Sequence, residues 1–83
     1  MSRPYIEKAK VIYNYHRQKF IENPKWRVID TARALRISAG STTESLMIAK
    51  ALSNFPELEK IDTAYEALKF IRKHKQQATW EEI

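Results

Sequence analysis

The sequence predicts an all-α protein, a small bundle of four to five helices. The chain has 83 residues with one glycine and three prolines, too few turn-forming residues for many short strands. Apolar residues recur every three or four positions, the spacing of amphipathic helices. Hydrophobic residues make up 43% and charged residues 30% of the chain, which is typical of a folded globular protein. We therefore expect residues 1–83 to form one helical domain.

The first predicted helix runs from about Pro4 to about Ile21. Proline suits the first position of a helix, and the Asn23-Pro24 pair ends it. His16 lies on the apolar stripe of this helix, so we expect it to be a packed or half-buried histidine. The stripe consists of Tyr5, Ala9, Ile12, His16 and Phe20, with Ile6 and Tyr13 beside it.

The second predicted helix is short, from about Val28 to Leu35, and a tight break follows at Arg36-Ile37-Ser38. The small side chain of Ala32 in mid-helix allows another helix to approach closely. The residues expected to point inward are Ile29, Ala32, Leu35 and Ile37.

The third predicted helix begins at Ala39 or at Ser41 and runs to about Asn54, before Pro56. Ser38 is one possible N-cap. Ser41 with Glu44 has the Ser-x-x-Glu spacing of a capping box and is the alternative. The two alternatives differ by nearly one helical turn. The expected inner face consists of Thr42, Leu46, Ala49 and Leu52, with Ile48 and Phe55 adjacent.

The fourth predicted helix begins at Asp62 or Thr63, and Asp62 is the better expected cap. Cations in its last turn complement the helix dipole. Residues 78–83, with Trp80, are predicted to start a further helix or to belong to a truncated linker. The expected inner face of the fourth helix is Ala64, Ala67, Leu68 and Ile71.

The net charge of +5 comes from 15 basic and 10 acidic residues, and it suits a polyanionic partner. The positive excess falls in residues 1–55, because residues 56–83 carry five basic and six acidic groups. There is no cysteine, which excludes disulfides and thiolate metal sites. No apolar run is long enough to span a membrane and no secretory signal is recognisable, so we expect a cytoplasmic protein.

We expect no enzyme activity, and so no catalytic residues, cofactor or small-molecule substrate. The single glycine rules out a glycine-rich phosphate loop, and no spacing places a base beside a nucleophile. Glu57, Glu59 and Asp62 form an acidic cluster on a connector, which we interpret as ordinary surface and not as a metal site.

Residues 28–54 have the pattern of a helix-turn-helix: a short helix, a tight break, and a helix that opens with small polar residues. The second helix of such a motif lies in a DNA groove about 12 Å wide, so its first turn must be slim and able to form hydrogen bonds. We expect Glu44 mainly to cap Ser41, with a hydrogen bond to a cytosine amine as the alternative. The candidate DNA-binding residues are Arg33, Arg36, Ser38, Ala39, Gly40, Ser41, Thr43, Glu44 and Lys50.

Residues 26–73 resemble the helix-turn-helix of ParB-like partition proteins and related phage proteins. In that family a Thr-Ala-x-x-Leu-Gly-Ile-Ser pattern precedes a recognition helix ending in Leu-x-Leu-Ala-x-x-Leu, then a Pro-Glu-Leu turn and a helix with Glu-Ala-Leu. The residues that match are Thr31, Ala32, Leu35, Ile37, Ser38, Leu46, Ile48, Ala49, Leu52, Pro56-Glu57-Leu58 and Glu66-Ala67-Leu68.

The chain departs from the family pattern at three positions. The turn glycine is Arg36 here, which must adopt a left-handed conformation unless the turn differs. The usual valine early in the recognition helix is Thr42, and Ser45 is polar at a position that is often half-buried. No part of the sequence resembles the family's N-terminal nucleotide-hydrolysing domain with its Gly-Glu-Arg-Arg-like box, so the resemblance implies no CTPase activity.

Together these patterns predict a DNA-binding module that reads duplex DNA through the third helix. One such module buries little surface, so we expect a homodimer or a partner domain. The resemblance implies a regulator, partition or replication accessory protein of a phage or mobile element. The alternative is a helical protein-interaction adaptor that uses the aromatic first helix and the Trp80 tail as its contact surface.

Overall fold

Four α-helices and one 3₁₀ helix follow one another in the computed structural model, which describes residues 3–74. They are α1 (Pro4–Glu22), α2 (Val28–Leu35), α3 (Ala39–Asn54), the 3₁₀ helix (Pro56–Lys60) and α4 (Ala64–Lys73). No strand occurs among these residues, and the all-α prediction is confirmed. The predictions for residues 78–83, including Trp80, lie outside the described residues.

The first helix begins at Pro4, where the missing N–H of proline does no harm because the first-turn N–H groups have no partner within the helix. It ends at Asn23, whose N–H donates to the carbonyl of Lys19. The prediction of a buried stripe is confirmed for Ala9, Ile12 and His16, together with Ile6 beside them. It is wrong for Phe20, which is 49% exposed because the buried face of α1 ends one turn earlier at His16.

The second helix ends in a Schellman motif built on Arg36. This residue has φ 59° and ψ 43°, the left-handed conformation that the sequence predicted if the turn keeps the family geometry. The N–H of Ile37 donates to Ala32 O at 3.0 Å, and the N–H of Arg36 donates to Arg33 O at 3.3 Å. At the other end, the Asp30 carboxylate accepts from the backbone N–H of Arg27 at 2.9 Å.

The third helix is capped by Ser38, whose Oγ accepts the N–H of Ser41 at 3.0 Å. The alternative start at Ser41, with a Ser41–Glu44 capping box, is therefore wrong, and Ser41 lies inside the first turn. The inner face is rotated slightly from the predicted one, since Ala49 and Leu52 are only half-buried. The buried residues of α3 are Thr42, Ser45, Leu46, Ile48 and Ala51.

The fourth helix is capped by Thr63, whose Oγ1 accepts the N–H of Glu66 at 3.2 Å. The prediction of Asp62 as the better cap is wrong. The Asp62 carboxylate instead lies 3.0 Å from the guanidinium of Arg3, at the start of α1. This ion pair joins the start of α1 to the segment before α4, two positions far apart in the sequence that no local rule connects.

The predicted Pro-Glu-Leu turn is a 3₁₀ helix that inserts Leu58 fully into the core. Tyr5 holds this connection against α1, because its hydroxyl donates to Ile61 O at 2.7 Å. Burial raises the pKa of Tyr5, as expected for a phenol kept as a donor. The core cluster around Leu58 consists of Ala9, Ile48, Ala51, Ala67, Leu68 and Ile71.

The third helix lies at the centre of the bundle. It packs most extensively on α1 and also contacts α2, α4 and the 3₁₀ helix. The neighbours of α3 thus fix its position in the bundle, while Ala39 and Gly40 at its start remain exposed.

Candidate nucleic-acid interface

The leading end of α3 is open to solvent. Ser38, Ala39, Gly40 and Thr43 are exposed, and Ser41 is half-buried. Four of these five side chains are no larger than serine, and Thr43 is little larger. The structure therefore presents a slim helix end on the surface, as the sequence predicted.

Backbone donors are available at this end. The Ser38 hydroxyl takes up the N–H of Ser41, and Ser38 O accepts the N–H of Thr42 at 3.0 Å. The N–H groups of Ala39 and Gly40 have no acceptor within residues 3–74. Free N–H groups and the positive end of the helix dipole form a surface that suits an anion such as a phosphate.

The single glycine stands where the backbone does not require one. Gly40 has no positive φ, and a Cβ added there would meet nothing within 4 Å. The turn position that does favour glycine, with φ 59°, carries Arg36 instead. Both choices act against stability, because glycine weakens a helix and an L-residue is strained in the left-handed region. Both also leave the start of α3 slim and positively charged.

Two exposed arginines precede the third helix. Arg33 lies in the last turn of α2 and Arg36 in the turn, and neither pairs with a carboxylate among residues 3–74. Lys50 is half-buried about three turns from the start of α3 and has contacts within the protein. Arg33 and Arg36 are therefore the cations of this region most available to an external anion.

Glu44 is the one acidic residue of α3, and its carboxylate is exposed. It was predicted mainly as a cap for Ser41, and this prediction is wrong because Ser38 holds that role. Within the described residues its carboxylate has neither a hydrogen bond nor an ion pair. Glu44 is thus left as a free hydrogen-bond acceptor one turn into the helix.

Sequence reasoning missed Met47 on the same surface. Gly40, Thr43, Met47 and Lys50 follow the i, i+3, i+7, i+10 spacing of one helical face. Met47 is half-buried, so part of its side chain packs on the core and part reaches this face. The helical spacing indicates Met47, but methionine is not among the polar residue types expected to contact bases.

A buried hydrogen-bond network fixes α2, and with it the turn, against α1. Thr31 is fully buried, and its Oγ1 accepts the indole N–H of Trp26 at 2.7 Å. The same hydroxyl lies 2.6 Å from Nδ1 of His16 on α1. Because the indole is only a donor, the Thr31 proton is left to bond Nδ1, which fits a neutral imidazole protonated on Nε2.

His16 is 5% exposed, and this burial lowers its pKa below the usual range of histidine. The lowered pKa agrees with a neutral ring whose Nδ1 accepts the Thr31 hydroxyl proton. The expectation of a packed histidine is confirmed, whereas the role of Thr31 was not predicted. The available signal is the position of Thr31 in mid-helix, next to the small Ala32 and five positions after Trp26.

The far end of α4 differs from the start of α3. Arg72 and Lys73 are exposed there, while His74 is half-buried and its ring lies 4.4 Å from the ring of Phe70. The Nδ1 of His74 lies 2.9 Å from Phe70 O, an acceptor, so Nδ1 carries the proton. This end therefore has the last-turn cations that the sequence predicted, with the packed rings of Phe70 and His74 beside them.

Residues 3–74 contain no group of three or more histidine or acidic side chains arranged to hold a metal ion. Within the same range no helix has the length and apolar character needed to cross a bilayer. Comparison of the chain with protein-family models, curated proteins and solved structures finds no match.

Proposed function

We propose that this protein binds duplex DNA, with α2 and α3 acting as a helix-turn-helix and the exposed end of α3 entering the major groove. The observation that carries the proposal is the composition of that end: small side chains, two free backbone N–H groups, and a pair of uncompensated arginines beside them. A protein surface needs these features to approach the edges of bases between two phosphate backbones.

The candidate residues divide into two groups by what they offer. Arg33, Arg36 and Lys50 supply positive charge for phosphates, and the N–H groups of Ala39 and Gly40 supply neutral donors for the same oxygens. The side chains of the second group offer hydrogen bonds to base edges, which carry the sequence information. This second group consists of Ser38, Ser41, Thr43 and Glu44.

Support also comes from the resemblance of residues 26–73 to ParB-like helix-turn-helix domains. On that basis we propose that the protein is a regulator, partition or replication accessory protein of a phage or mobile element. A module of this size makes few base contacts, so we further propose that it acts on DNA as a homodimer or beside a partner domain.

The test is the salt dependence of binding to duplexes selected from a random pool, measured by fluorescence anisotropy. We expect the logarithm of the affinity to fall linearly with the logarithm of the salt concentration, with a slope of about −0.9 per phosphate neutralised. Arg33→Ala and Arg36→Ala should each make the slope shallower by about 0.9. Arg72→Ala, which removes an equally exposed arginine from α4, is the matched control and should leave the slope unchanged.

Two outcomes would contradict the proposal. The first is the absence of binding to any duplex at about 50 mM salt, where phosphate contacts are strong. The second is a loss of slope in Arg72→Ala as large as that in Arg36→Ala, which would place the contact away from α3. A protein-interaction adaptor would bind its partner with little response to salt and without a change in Arg36→Ala.

A further inference from the structure

The outer face of α1 carries an exposed row of side chains. Val11, Asn14, Gln18 and Ile21 alternate three and four positions apart, so they lie along one side of the helix. Val11 is 65% and Ile21 70% exposed, and both amide residues between them are exposed. The buried residues of α1 lie on the opposite side, so no other described element covers this row.

A shallow apolar groove of about 370 Å³ adjoins Val11. Its apolar walls are Val11 and Ile12 of α1 together with Leu35 and Ile37, which flank Arg36 at the end of α2, and Glu7 and Lys8 also line it. Ile21, at the other end of the row, is an aliphatic side chain that projects into solvent. One face of the protein thus carries an apolar knob and an apolar groove about three helical turns apart.

We propose that this face binds a second copy of the chain, with the two α1 helices antiparallel about a two-fold axis at the level of His16. In this register Ile21 of each copy meets Val11 and the adjoining groove of the other. Asn14 of each copy meets Gln18 of the other, and their amides can donate and accept reciprocally. This one register therefore places apolar groups against apolar groups and amides against amides.

The charges agree with the same register. Glu22, exposed at the end of α1, comes opposite Lys10 of the second copy. Lys10 already lies 4.0 Å from Glu7 in its own chain, and an ammonium has enough donors for a second carboxylate. Parallel helices would instead set identical residues against each other, so Glu22 would face Glu22. A two-fold interface uses one surface twice, and the charges of this surface are complementary to each other in the antiparallel arrangement and not in the parallel one.

The size of the surface predicts a weak dimer. One face of α1 extends about 28 Å, and it provides less than the roughly 800 Å² per partner of an ordinary stable interface. Because α1 packs on α3 through its inner face, pairing on the outer face leaves the exposed side of α3 open. The inference does not depend on DNA binding, and the tests below contain no DNA.

Sedimentation of the full chain from about 10 µM to about 1 mM tests the association. We expect the mass to rise from 9.8 kDa towards twice that value, and Ile21→Glu to weaken the dimer at least about tenfold. Tyr65→Glu, at a side chain 71% exposed on α4, is the matched control and should leave the dimer unchanged. A monomer at every concentration, or an equal effect of the two substitutions, would overturn the proposal.

Disulfide cross-linking tests the register, because the chain has no cysteine of its own. Asn14→Cys and Gln18→Cys should cross-link with each other when mixed and much less when each is alone, since only the mixed pair brings Cα atoms to within about 7 Å. Efficient cross-linking of Asn14→Cys with itself would indicate parallel helices and overturn the register. Both positions are exposed, so neither substitution removes a core contact.

Discussion

Arg36 is the residue at which the requirements of folding and of the proposed function diverge most clearly. Its backbone adopts φ 59°, where an L-residue costs about 1 to 2 kcal/mol relative to an ordinary conformation. The Schellman motif holds Arg36 in this conformation through two backbone hydrogen bonds to the end of α2. Glycine would relieve the strain, so the fold does not account for an arginine here, whereas the proposed function gives its charge a role.

Replacement of Arg36 should therefore separate stability from binding. We expect Arg36→Gly to raise the free energy of unfolding by about 1 kcal/mol and to weaken DNA binding. Arg36→Ala is the control, because it keeps the left-handed strain and loses the same charge. It should leave stability nearly unchanged and weaken DNA binding equally. Urea denaturation and anisotropy measure the two quantities, and a destabilised Arg36→Gly would refute the strain argument.

At Gly40, too, a substitution that stabilises the protein is expected to weaken DNA binding. Ala at this position should stabilise α3 by about 0.5 to 1 kcal/mol, because the added methyl meets nothing within 4 Å and reduces backbone freedom in the unfolded chain. We expect Gly40→Ala nevertheless to lower DNA affinity, since the methyl stands on the proposed DNA-binding surface. Ser53→Ala, at an exposed position late in α3, is the matched control for helix stabilisation and should leave affinity unchanged. Equal affinity of Gly40→Ala and the parent would place the groove contact elsewhere.

At the scale of the element, the start of α3 decides which side chains reach the exposed face. A helix that began after Ser41 would have left Ala39 and Gly40 outside α3. The observed N-cap at Ser38 includes both residues in the helix, so that Gly40 lies on the same face as Thr43 and Lys50. The Schellman motif contributes to this choice, because it ends α2 at a fixed residue and leaves two residues, Ile37 and Ser38, before α3.

The two serines provide the test of this start. Ser38→Ala should lower the free energy of unfolding by about 1 kcal/mol, because it removes the oxygen that accepts the Ser41 N–H. Ser41→Ala should change stability by less than about 0.5 kcal/mol, since Ser41 caps nothing. Thermal or urea unfolding of the two variants measures the difference, and the reverse order would restore Ser41 as the cap.

At the scale of the whole molecule, the polar contacts that cross between elements orient the bundle. The Arg3–Asp62 pair and the Tyr5 hydroxyl tie the start of α1 to the connection before α4. The network of His16, Thr31 and Trp26 ties the middle of α1 to α2. Apolar contacts are tolerant of small shifts, whereas the short bonds of His16, Thr31 and Trp26 hold α2, and with it the turn and its arginines, against α1.

The neutral state of His16 makes stability depend on pH. Because its pKa is lower in the folded than in the unfolded protein, the unfolded state binds more protons below about pH 6.5, and protonation favours unfolding. The contribution of His16 is therefore present above that pH and is lost as the pH falls through the folded-state pKa. We expect the free energy of unfolding to decrease between about pH 7 and about pH 5.5.

Urea denaturation across this range, with two histidine variants, assigns the effect. In His16→Gln the decrease should be smaller, whatever the absolute stability of that variant. His74→Gln, which removes a histidine from the end of α4, should retain the full decrease. Two results would contradict the assignment of a neutral buried His16. One is a smaller decrease in His74→Gln than in His16→Gln, and the other is a free energy of unfolding that rises as the pH falls.

The sequence by itself determined the helices, because the signals that place them are local. Helical spacing of apolar residues, Pro4, the Asn23-Pro24 pair and Pro56 set the bounds of the elements to within a residue or two. The left-handed Arg36 was also predictable, since the resemblance identified the turn position that normally carries glycine. Small residues after Ser38 indicated a slim helix end, and that end is exposed.

Only the tertiary structure decided how these helices share their surfaces. Asp62 was the better local cap, yet it pairs with Arg3 at the other end of the chain, and Thr63 caps α4. Leu58 enters the core from between two glutamates, while Phe20 on a regular stripe stays half in solvent. Burial and ion pairing depend on which distant groups arrive at a position, and that information is spread over the whole chain and not contained in any one segment of it.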